Sequence, residues 1–146
     1  MRNFIDHTWI LYLARIDSVK GQQHAIRAWN ALSSEKQERT LLIFLGQESA
    51  SGQIASLKNA LTDRGRTNTV FPGASMAPRD WIAASDAFLS LSEFEGMPLA
   101  PLESIGSGLP ALLSEIPGHE FLKPFANLVD CTIDDSALAD SLAHLI

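Results

Sequence analysis

Two cations set close together in a loop suit an anion, and the segment Ala14-Arg15-Ile16-Asp17-Ser18-Val19-Lys20-Gly21 supplies such a pair. Arg15 offers a planar fork of donors and Lys20 a compact charge. Together they would neutralise a diphosphate as negative charge builds on it during departure. The same two residues also read as solvated loop charges, the commonest state of surface Arg and Lys, and this segment alone leaves both readings open.

A second segment, Glu93-Phe94-Glu95-Gly96-Met97-Pro98-Leu99-Ala100-Pro101-Leu102-Glu103, has the composition of a helix start aimed at a ligand. Gly96 permits close backbone approach and Pro98 suits a first helical position. The helix end then presents free N–H groups and a positive dipole to a phosphate. Pro98 and Pro101 donate nothing, which leaves the amides of Met97, Leu99 and Ala100. Glu103 falls four residues after Leu99, on the same face, where a carboxylate can accept both hydrogens of a vicinal diol such as a ribose. Glu95 stands at the rim, within reach of a group attached beyond the phosphates. An ordinary acidic helix start is the alternative, since Glu near a helix N-terminus is favourable by itself.

Other chemistries lack their residues. His7, His24, His119 and His144 form no His-Glu-x-x-His pattern, and there is no Gly-x-Ser-x-Gly elbow. Cys131 is the sole cysteine, so no intramolecular disulfide forms, and no Cys/His cluster has zinc spacing. Gly106-Ser107-Gly108-Leu109-Pro110 has the look of a dinucleotide fingerprint, but it closes a helix and leads into a strand, the reverse of what that motif needs. Ile116-Pro117-Gly118-His119-Glu120 reads either as a cleft lining or as a plain turn.

The net charge of −6, from 17 acidic and 11 basic residues, argues against nucleic-acid phosphates or an anionic membrane as partners. The opening Met1 to His7 and the short apolar run from Trp9 to Ala14 make neither a signal peptide nor a membrane span, so a cytoplasmic location is expected.

The elements that must position these groups alternate. Apolar runs at Thr8 to Ala14, Leu41 to Leu45, Thr69 to Phe71, Ala87 to Leu91, Pro110 to Leu113 and Leu128 to Thr132 suit strands of a parallel sheet. Helical spacing lies between and after them, at Gln22 to Leu32, Gln53 to Thr62, Arg79 to Ala84, Leu99 to Ile105 and Ser136 to Leu145. Trp29, Leu32 and Trp81 read as core. This pattern predicts a single α/β domain over residues 1–146, Rossmann-like, with about six parallel strands and helices on both faces. Ligands of such sheets bind outside the carboxyl ends of the strands, where both candidate segments fall.

With these motifs in order, the chain resembles the C-terminal, nucleotide-sugar-binding domain of the retaining GT-B glycosyltransferases, which include bacterial mannosyl- and glucosyltransferases. The markers are Arg-x-x-x-x-Lys-Gly at Arg15 to Gly21, the strand-Gly at Leu42 to Gly46, Val-x-Pro-Gly at Val70 to Gly73, Ala84-Ser85-Asp86, Glu-x7-Glu at Glu95 to Glu103, and Gly108-Leu109-Pro110. The resemblance implies that Arg15 and Lys20 hold the donor diphosphate and that Glu103 binds the ribose. Glu95, with the Gly96, Met97 and Leu99 backbone, contacts the donor sugar and phosphates. It also implies a UDP-, GDP- or ADP-sugar donor and no metal or other cofactor, in keeping with the lack of an Asp-x-Asp motif. Two residues depart from the pattern: Ala14 replaces a glycine before the arginine, and Pro101 adds a second ring to the first helical turn. An N-terminal acceptor-binding domain, the other half of the GT-B fold, is expected in cis or in trans, with activity dependent on it. The rival expectation is a noncatalytic nucleotide-binding or assembly module.

Overall fold

The computed structural model describes residues 4–146; Met1, Arg2 and Asn3, the start of the opening segment discussed above, lie outside the described residues. Six strands form one parallel sheet: β1 (Thr8–Leu13), β2 (Thr40–Leu45), β3 (Thr69–Gly73), β4 (Ala87–Ser90), β5 (Ala111–Ser114) and β6 (Asn127–Val129). Their order is β3-β2-β1-β4-β5-β6, with every paired neighbour parallel. The chain therefore reverses its direction of travel across the sheet between β1 and β4. In such sheets that switch point opens the crevice in which ligands bind.

Continuous apolar runs make these strands because both faces are covered. Every residue of β2, β4 and β5 is buried. Alternation along β1 divides the core into two layers: Ile10 and Tyr12 join one with Phe44, Leu89 and Leu112, while Leu11 joins the other with Ile43, Phe88 and Leu113. Helices α1 (Gln22–Ala31), α3 (Gln53–Ala60) and α7 (Asp135–Ala143) close the first layer through residues such as Ile26, Trp29, Leu57 and Leu138. Helices α5 (Pro78–Ala84) and α6 (Leu99–Gly106) close the second through Ile82, Ala100 and Ile105. Trp29 is buried and donates its indole N–H to the Gly65 carbonyl at 3.1 Å, whereas Trp81 is only partly buried against the second layer.

Several of the expected boundaries shift. The first two helices stop at Ala31 and Ala60, where Leu32 and Leu61 turn extended, and two short helices follow: α2 (Ser34–Glu38) and α4 (Asp63–Thr67). Side chains of Ser33 and Thr62 cap them, so each five-residue helix starts on a cap rather than on apolar periodicity. The fourth strand ends at Ser90 instead of Leu91, and the fifth begins at Ala111, not Pro110, whose ring removes the ladder donor. The sixth ends at Val129, not Thr132, because the Asp130 carboxylate accepts from the Thr132 N–H at 2.8 Å and bends the chain away. Gly106-Ser107-Gly108 does close a helix: Gly108 has φ 90° and donates to the Ile105 carbonyl at 2.9 Å.

Candidate functional site

The first βα loop is folded tightly onto the end of β4. Asp17 caps a single 3-10 turn (Ser18–Lys20), accepting from the N–H groups of Val19 and Lys20 at 3.0 Å. That turn ends at Gly21, whose positive φ of 71° redirects the chain into α1. The Glu93 N–H donates to the Val19 carbonyl at 2.8 Å, which ties the two loops together.

Tyr12 makes the deeper connection. Its ring is buried beside Phe44, and its hydroxyl accepts from the Leu91 N–H at 2.8 Å while donating to the Lys20 carbonyl. Burial holds that phenol well above its ordinary range, so it stays protonated and able to donate. One hydroxyl thus fixes Lys20 against the strand end that precedes Glu95. Tyr12→Phe should keep the ring packing yet leave the Leu91 N–H and the Lys20 carbonyl unpaired, at a cost of about 2 kcal/mol in urea unfolding. An unchanged stability would show that these groups find other partners.

Lys20 and Glu95 meet, though they lie 75 positions apart: the ammonium lies 2.8 Å from Oε1. The pair is largely shielded, with side-chain exposures of 20% and 9%. Ser92 Oγ also donates to Oε1, at 2.7 Å. From the other side the loop after β5 presses on Glu95. A Cβ added at Gly118 would come within 2.2 Å of the Glu95 carbonyl oxygen. His119, fully buried in a 3-10 segment (Pro117–Leu122), anchors that loop by donating from Nδ1 to the Ser114 carbonyl at 2.9 Å. A carbonyl only accepts, so Nδ1 carries the proton and Nε2 is left as a buried acceptor without a partner among the described residues. Burial holds this imidazole below its usual range and neutral.

Arg15 and Glu103 lie apart from that pair. The Arg15 side chain is 70% exposed and pairs with Asp17 at 3.3 Å, while its carbonyl accepts from Gln22 at 2.7 Å. Asp17 is therefore a turn cap that also attenuates one cation. Glu103 makes a loose 3.9 Å contact with the exposed Arg79 at the start of α5, and its carboxylate remains open to a ligand.

The N-terminus of α6 provides the rest. Leu99 donates to the Met97 carbonyl at 2.9 Å, so its amide is engaged within the chain, whereas the N–H groups of Gly96, Met97 and Ala100 find no acceptor among the described residues. A Cβ at Gly96 would meet nothing within 4 Å, so the space beside this residue is open. The result is a patch of free amides beside an ammonium, suited to an anion.

Tyr12 and Ser92 are positioning residues that sequence reasoning did not single out for the site, whereas Gly118 and His119 fall in the Ile116 to Glu120 segment that could be read as a cleft lining or as a plain turn. For Ser92 the hint lay in Ser90-Leu91-Ser92, polar residues alternating inside a buried run. A larger hollow, about 490 Å³ and lined by His7, Gln37, Arg64 and Asn68 among others, opens at the amino ends of the strands. It contains none of the candidate residues, and in open parallel sheets the carboxyl edge is where ligands bind.

Comparison with known proteins gives a consistent picture. The family model for glycosyl transferases group 1 matches residues 4–146. No curated protein sequence matches the chain significantly. Among solved structures, WaaG, a glycosyltransferase involved in lipopolysaccharide biosynthesis, superposes with a TM-score of 0.84 at 21% identity over 97% of this chain and 38% of its own. Anabaena Alr3699/HepE in complex with UDP and glucose gives 0.82 at 17%, over 97% of this chain and 39% of its own. A UDP-forming α,α-trehalose-phosphate synthase from Burkholderia xenovorans gives 0.79 at 17%, over 97% and 37%. What is shared is one Rossmann-like part of these GT-B proteins, and the chain spans well under half the length of each of them.

Proposed function

This chain belongs to the glycosyl transferases group 1 family, and on that premise we propose that it is the donor-binding half of a retaining glycosyltransferase. The donor is a nucleoside diphosphate sugar, of which the UDP-glucose held by Anabaena HepE is one representative. The observation that carries the reading is the Lys20–Glu95 pair set beside the free amides of Gly96, Met97 and Ala100 at the switch point of the sheet. Lys20, those amides and the exposed Arg15 guanidinium stabilise the departing diphosphate. Glu103 fixes the ribose, and Glu95 orients the sugar near the developing oxocarbenium ion. Positive charge for the leaving group comes from the chain itself, without a resident metal.

The acceptor is held by a part of the GT-B fold outside these residues, in cis or in trans. In support, Val19, Phe94, Met97 and Leu99 expose large apolar side chains around the same site, as a surface that closes against a second domain would. No helix among the described residues is long and apolar enough to cross a membrane, and the expected setting is the cytoplasm.

A ligand-observed NMR screen of UDP, GDP, ADP and their sugars tests the reading. Saturation transfer to one base, with and without its sugar, is expected. No transfer to any of them would overturn donor binding by this chain.

A further inference from the structure

Lys20 does not face the candidate phosphate position as a bare cation. Its charge is already met by Glu95 at 2.8 Å, and Ser92 Oγ holds the same oxygen at 2.7 Å. The second carboxylate oxygen, Oε2, has no partner among the described residues. Gly118 packs against the base of the residue, since a Cβ there would lie 2.2 Å from the Glu95 carbonyl oxygen and 2.9 Å from the Glu95 Cβ.

This arrangement treats two ligands differently. A bare diphosphate meets a charge-compensated pair and a carboxylate at short range, so it gains less from Lys20 than it would from a free ammonium. A diphosphate carrying a sugar meets the same repulsion, but its hydroxyls supply donors for Oε2. We infer that Glu95 sets the preference of this site for sugar-bearing over bare diphosphates and so promotes release of the spent leaving group, an inference that rests on reading the site as a donor site.

The charge balance of the transfer supports the release step. When the bond from the anomeric carbon to the phosphate oxygen breaks, the electron pair stays on that oxygen. The diphosphate gains one negative charge and the sugar a matching positive one. While both are present, attraction of Glu95 to the sugar offsets its repulsion of the phosphate. Once the acceptor oxygen has bonded to the anomeric carbon and lost its proton to solvent, only the repulsion remains.

Calorimetric titration of the wild-type chain, Glu95→Gln and Lys20→Ala with the nucleoside diphosphate and its sugar tests this. Glu95→Gln keeps the shape of the side chain and an acceptor for Ser92. It should bind the bare diphosphate about tenfold more tightly than wild type, and its preference for the sugar-bearing form should fall to within about twofold. Glu95→Ala removes the same charge and should shift in the same direction, which guards against a local effect of the amide. If neither variant binds the bare diphosphate more tightly, while Lys20→Ala weakens it, the inference falls and the donor site stands. If Lys20→Ala leaves binding unchanged, or no nucleotide binds any of the proteins, the donor site itself is wrong.

Discussion

Gly21→Ala should lose about 3–5 kcal/mol of stability in equilibrium urea unfolding, a large part of what a domain of this size has to lose. Two costs combine. Gly21 holds a φ of 71°, a conformation that penalises an L-residue by roughly 1–2 kcal/mol. Its missing Cβ would also stand 1.8 Å from the Leu91 carbonyl oxygen and 2.5 Å from the Leu91 carbonyl carbon, both backbone atoms of the central sheet region. The first loop would have to leave the end of β4, breaking the Glu93 N–H bond to the Val19 carbonyl and the Tyr12 hydroxyl bond to the Lys20 carbonyl. Gly52 serves as the control, for its φ is also positive, at 91°, yet a Cβ there meets nothing within 4 Å. Gly52→Ala should therefore cost only about 1 kcal/mol. Equal losses at the two positions would mean that the close approach of the first loop to β4 carries no energy.

Lys20→Ala should weaken nucleoside diphosphate binding roughly 30- to 100-fold in titration calorimetry, as expected for loss of one charge-assisted contact. The variant acts on both partners of the pair. It removes the ammonium, and it leaves Glu95, only 9% exposed, with Ser92 as its remaining donor beside the incoming phosphate. Stability should fall by about 1–2 kcal/mol for the same reason, less than for a fully buried pair. Arg15→Ala offers the comparison: an arginine 70% exposed and attenuated by Asp17 should matter several-fold less than Lys20.

Much of this was legible in the sequence because it is local. A run of buried residues announces a parallel strand, and Gly-x-Pro after one announces a helix end that faces a ligand. Arg15, Lys20, Glu95 and Glu103 could be picked out by their distance from such landmarks, and the family match over residues 4–146 agrees with the resemblance their spacing carried. What the sequence hid depends on contacts between distant positions. Nothing near Lys20 says that Glu95 will neutralise it, since the two lie 75 positions apart and the pairing exists only because β1 and β4 are neighbours. Tyr12 reads as one more strand former until its hydroxyl is seen to bridge Leu91 and Lys20. Leu99 looked like an available donor, yet its N–H is taken by the Met97 carbonyl, a turn that residue types alone did not disclose. The five-residue helices α2 and α4 escaped notice for a simpler reason: one turn is too short to show periodicity, and only Ser33 and Thr62 mark their starts.

Backbone amide shifts report directly on whether a diphosphate sits between the first loop and the N-terminus of α6. A two-dimensional nitrogen–proton titration of the chain with the nucleoside diphosphate should move Lys20, Gly21, Gly96, Met97 and Ala100 most, with smaller shifts at Glu103. The amino end of the sheet, around Gln37 and Asn68, should stay still. Shifts centred on that opposite hollow, or absent from the Gly96 to Ala100 amides while the ligand binds, would contradict the account.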